Sequence, residues 1–114
     1  MEKQEAPISW NDFSKIEMRV GTIIHAEVFK EAKKPAYKMI VDFGDFGSRK
    51  TSAQITSLYS TDELVGKQVI AVINFPPKQI ANLQSQCLVL GAIEGGEVTL
   101  LTPDKSVKNG LRIG

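Results

Sequence analysis

Apolar and polar residues alternate along most of this chain with a period of two, broken by glycine, proline and short polar runs, and the pattern reads as a succession of short strands. Ser9, followed by Asp12 and then Phe13, Ile16 and Met18, predicts a capped helical turn leading into the first strand. From Ile16 onward, Ile16, Met18, Val20, Ile24, Ala26 and Val28 share one parity, opposite Glu17, Arg19 and Glu27. This predicts a long half-buried strand with the apolar set inward. Gly21, with Ile23 and Phe29 apolar on the other parity, predicts a bend or bulge such as a small barrel uses at a corner.

A polar stretch at 30–35 precedes a second strand with Tyr37, Met39, Val41 and Phe43 on its core face. Gly44-Asp45-Phe46-Gly47 is a turn signal. The third strand, over 48–55, sets Ala53 and Ile55 against Lys50, Ser52 and Gln54. Residues 58–64 predict a short helix stopped at Gly66. The fourth strand, 68–75, is almost continuously apolar; a loop bearing Pro76-Pro77 separates it from a fifth at 88–93, and a short sixth at 98–101 follows the turn Glu94-Gly95-Gly96-Glu97. Three strands, a short helix and two more strands is the order of a five-stranded OB-fold barrel, an all-β architecture. Small SH3-like barrels share much of this pattern.

At 114 residues the chain has the size of one domain with its own core. It divides into an N-terminal extension with the short helix (1–15), the barrel (16–93) and a C-terminal extension (94–114). The single cysteine, Cys87, excludes an internal disulfide framework, and with the single histidine, His25, it cannot supply a structural zinc site. No metal or organic cofactor is expected. Lys and Arg number 14 against 13 Asp and Glu, so a nucleic-acid footprint has to be sought in local charge. No apolar run approaches the roughly 20 residues of a membrane span, and Met1 to Pro7 is charged without an apolar signal core. The expectation is a cytoplasmic protein without membrane insertion.

Three separated blocks stand out: Met18-Arg19-Val20-Gly21-Thr22-Ile23 with Ala26, then Ser52-Ala53-Gln54-Ile55, and Asn74-Phe75-Pro76-Pro77-Lys78-Gln79-Ile80 running on to Ser85 and Leu88. They resemble the tRNA-binding domain found at the ends of some aminoacyl-tRNA synthetases, in free-standing relatives and in the CsaA-type export chaperones. With the opening Asp12-Phe13-Ser14-Lys15-Ile16 the resemblance covers nearly the whole chain, and its third block is most similar to the CsaA type. It implies an OB fold, a homodimer built partly from the terminal extensions, tRNA binding, and in the CsaA branch an affinity for exported preproteins. Two positions depart from the wider family: Ala53 stands where a basic residue is usual, and Leu88 where a Met is usual.

Lys50, Ser52 and Gln54 on one parity would emerge about 7 Å apart, a spacing that suits phosphates and 2′-hydroxyls. The same row also serves as an ordinary solvated strand face, and the resemblance favours binding. Asn74 at a strand end and Ser85 beyond it are candidates for shaping the site, Lys78 for touching phosphate, and Arg49, Lys33, Lys34 and Lys38 for extending the positive surface. Phe75, Ile80 and Leu83 are the candidates for holding an unfolded polypeptide, although a loop packed on its own barrel needs the same residues. Exposed aromatic rings are expected to be few, which favours folded RNA over unpaired bases. His25 and Cys87 are read as a surface imidazole and a buried structural thiol, and no catalytic constellation is present. Apolar Ile8, Leu100, Leu101, Val107, Leu111 and Ile113 outside the barrel predict a homodimer. The expected protein is thus a non-enzymatic homodimer with tRNA or other structured RNA, unfolded preproteins and the export machinery as partners. The alternative is an assembly module that recruits proteins through its dimer surface.

Overall fold

The computed structural model describes residues 6–114. The charged segment read at the N-terminus therefore lies largely outside the described residues. Ser9 caps helix α1 (Trp10–Ser14) with a reciprocal capping box to Asp12. Strands β1 (Met18–Val28), β2 (Tyr37–Asp42) and β3 (Ser48–Ala53) follow, and then Ser60 caps the one-turn helix α2 (Thr61–Leu64). After β4 (Gln68–Val72) come two paired three-residue strands, β5 (Lys78–Ile80) and β6 (Leu83–Ser85). The chain continues through β7 (Leu88–Val89) and the hairpin of β8 (Gly91–Glu94) with β9 (Glu97–Leu100).

The antiparallel sheet runs β3-β2-β1-β4-β7, a nearly closed five-stranded barrel of the OB type. Closure between β3 and the segment before β7 uses the Gln86 N–H donating to Lys50 O (2.8 Å), the Lys50 N–H donating to Gln86 Oε1 (2.9 Å) and the buried Thr51 hydroxyl donating to Cys87 O (2.8 Å). Ile23, Met39, Val41, Phe43, Ile55, Leu64, Val69, Ala71 and Ile73 fill the interior.

The inward set on β1 differs from the sequence expectation. Ile23 is fully buried whereas Ile24 and Val28 are about half exposed, and Ile16 lies exposed before the strand begins. The reason is a bulge. Ile23 opposes Val41 but His25 opposes Ile40, so Ile24 is the extra residue and the inward parity changes there. Val20 is buried away from the main core, beside residues 110–113, which pair with the part of β1 that β2 leaves free. The Val20 N–H donates to Leu111 O (3.0 Å), the Gly110 N–H to Val20 O (2.7 Å) and the Ile113 N–H to Met18 O (2.9 Å).

Other boundaries move as well. The third strand ends at Ala53, the helix shortens to Thr61–Leu64, the fourth strand ends at Val72, and the fifth divides at Leu90 into barrel strand β7 and the β8–β9 hairpin. The proline loop is itself structured, since it holds the β5–β6 hairpin.

Candidate nucleic-acid interface

In an OB barrel the ligand face is the outer side of strands two and three, flanked by the loops that join strands one to two and four to five. Met39 and Val41 point inward on β2, so Lys38, Ile40 and Asp42 point out. The register places Ser52 opposite Lys38 and Lys50 opposite Ile40. Directly opposed residues of an antiparallel pair share a face, so Lys50 and Ser52 stand outward beside Lys38. Gln54 follows just beyond β3 and is exposed.

The two flanking loops are joined by a satellite core. Phe29 and Ala36 at the ends of the first loop pack with Leu83 of the hairpin, and Ala32 and Ile80 lie against them. This junction fixes the lysines of the first loop, Lys33 and Lys34, relative to the hairpin. Lys78 and Ser85 are direct cross-strand partners on the hairpin, and the Ser85 hydroxyl lies 3.3 Å from the Thr51 hydroxyl of β3. Lys50, Ser52, Ser85 and Lys78 thus occur on neighbouring strands.

Two candidates carry structural bonds of their own. Asn74 accepts from the Glu17 N–H (3.0 Å) and donates to Lys15 O (2.6 Å), so its amide ties the end of β4 to the entry of β1. Arg49 is on the opposite parity from Lys50, and its guanidinium donates to Ile73 O (2.8 Å). Of the apolar candidates, Leu83 is buried and Ile80 half-buried in the satellite core, whereas Phe75 is 55% exposed.

Beside the polar row lies a groove of about 950 Å3. Ser52, Gln54, Lys33 and Lys34 line part of it, and Leu88 and Ile93 give it an apolar side. Sequence reasoning did not single out Ile93, because it was read as the end of a barrel strand. Its exposure follows from the break at Leu90, which carries β8 and β9 off the main sheet.

Cys87 is buried beneath β3, and burial pushes its thiol up to about 11, against weaker opposing effects from the Thr51 hydrogen bond and the Arg49 charge. His25 is on the surface, with Nε2 3.2 Å from the Glu27 carboxylate. Among the described residues no three His, Cys, Asp or Glu side chains come together as a metal site, and no helix is long and apolar enough to cross a membrane.

Residues 18–112 match the profile of the family described as "Putative tRNA binding domain". The chain belongs to that family. This tRNA-binding domain is 36% identical over 111 residues to the methionine–tRNA ligase of Archaeoglobus fulgidus, a match covering 97% of this chain but only 17% of the ligase. Among solved structures it resembles the CsaA chaperone of Bacillus anthracis at 45% identity, over 96% of this chain and 100% of that one, with a TM-score of 0.92. The CsaA chaperone of Picrophilus torridus is 57% identical, with 95% and 100% covered and a TM-score of 0.89.

Proposed function

We propose that the protein is a non-catalytic RNA-binding module that acts as a homodimer and takes folded RNA such as tRNA, phosphates first, on the outer face of β2 and β3. The observation that carries this reading is the placement of Lys38, Lys50 and Ser52 on that face, with Lys33 and Lys34 lining the groove beside Ser52 and Gln54. Lysines supply charge to phosphate, and the serine and glutamine side chains donate to and accept from sugar and backbone oxygens. Arg49 and Ser85 brace β3, the strand that carries Lys50 and Ser52, whereas Asn74 ties the end of β4 to the entry of β1. Exposed rings are sparse on this face, which favours backbone and shape over stacked bases. The family supports the same ligand class.

A second reading is favoured by the apolar side of the groove and by the chaperones among the similar structures: an unfolded polypeptide, such as a preprotein awaiting export, would lay apolar residues against Leu88, Ile93 and Ile80. A cytoplasmic location suits both ligands. Electrophoretic mobility shift with bulk tRNA decides the first reading, and suppression of precursor aggregation the second. If neither ligand binds while other proteins are captured through the dimer surface, the protein is an assembly module.

A further inference from the structure

The register that exposes Lys50 and Ser52 extends across a third strand. His25 on β1 opposes Ile40 on β2, which opposes Lys50 on β3; in the adjacent row Glu27 opposes Lys38, which opposes Ser52. Since opposed residues share a face, the only imidazole of the chain lies on the proposed RNA face, two strand spacings or roughly 10 Å from the Cα of Lys50. That separation lies within the reach of one RNA backbone crossing the sheet. The side chains of His25 and Glu27 are both about half exposed and pair at 3.2 Å.

We infer that His25 is a phosphate-binding residue of this face, engaged in its protonated form, and that Glu27 holds the imidazole in the free protein. The inference rests on the RNA reading given above. The ionisable groups of the two rows are His25, Glu27, Lys38 and Lys50. Helix α2, which packs against β1, contributes Asp62 and Glu63, with Lys67 following; among the described residues only Glu27 makes an ion pair with His25. With a neutral imidazole the two rows carry two lysines against one carboxylate. Protonation adds a second uncompensated positive charge beside the phosphates. Linkage sets the sign: RNA bound at His25 favours the proton, so affinity rises as pH falls.

The test is a filter-binding titration of bulk tRNA at about pH 6 and about pH 8, each at several salt concentrations. Wild type should bind roughly three- to tenfold tighter at the lower pH, with a salt slope steeper by about one phosphate contact. His25→Gln should bind with one affinity and one salt slope at both pH values, with an unchanged melting temperature. Glu27→Gln should bind more tightly than wild type at both. Lys50→Ala should lose affinity and slope at both pH values yet keep the pH response. A pH response in His25→Gln equal to that of wild type overturns the role of His25. Loss of nothing in Lys50→Ala and Lys78→Ala instead overturns the RNA face itself, so the two failures are distinguishable.

Discussion

A methyl group at position 21 would sit 2.6 Å from Val41 Cγ1 and 2.7 Å from the Phe43 ring, both buried and fixed in the barrel interior. Gly21 is therefore the point on β1 where inward side chains of the neighbouring β2 segment leave no room for any side chain. Gly21→Ala should destabilise the fold by about 1–3 kcal/mol through overpacking, as read from a denaturant midpoint. Cys87 makes a second residue-scale prediction. Its thiol titrates at about 11 in the fold against 9.0 ordinarily, so the folded state holds its proton more tightly. Stability contributed by this group is fully present below about pH 9 and is lost as pH rises towards 11. Cys87→Ser, with a hydroxyl that does not titrate there, should remove that alkaline decline, and the native thiol should react with iodoacetamide far more slowly than the unfolded one.

At the scale of elements, the two loops flanking the ligand face act as one body because Leu83 joins Phe29 and Ala36. Leu83→Ala should cost about 2–4 kcal/mol and also weaken tRNA binding, since Lys78 and the lysines of the first loop lose their common support. Asn74→Ala should separate the two effects: a loss of about 1–2 kcal/mol from the freed Glu17 N–H and Lys15 carbonyl, with tRNA affinity nearly unchanged. The faces of β2 and β3 were legible in the sequence, because Tyr37, Met39, Val41 and Phe43 alternate without interruption and Thr51 lies opposite Met39 on the inward side. The inward face of β1 was legible only past Ile24, because a bulge changes parity without leaving a mark in an apolar run. Strands of three residues behind two prolines give too few alternations to register, so the β5–β6 hairpin emerged only in three dimensions.

For the whole molecule, apolar surface outside the barrel argues for a second subunit. Trp10 is 87% exposed and, with Ile8, Phe13 and Gly114, borders a pocket of about 430 Å3, while Leu111 is half exposed on the segment paired to β1. Light scattering should give twice the 12.5 kDa chain mass, and Trp10→Ala should shift the equilibrium towards the monomer. In the dimer two copies of the face would engage one folded RNA, and the monomeric variant should bind it more weakly than the loss of one site predicts. If β2 and β3 meet RNA through phosphates, the dependence of tRNA affinity on salt reads it out. Wild-type affinity should fall steeply between two salt concentrations, and Lys50→Ala and Lys78→Ala should each weaken binding to different RNAs alike and lower the salt slope by about one. Wild-type salt dependence and affinity in both variants would mean that RNA does not bind on this face.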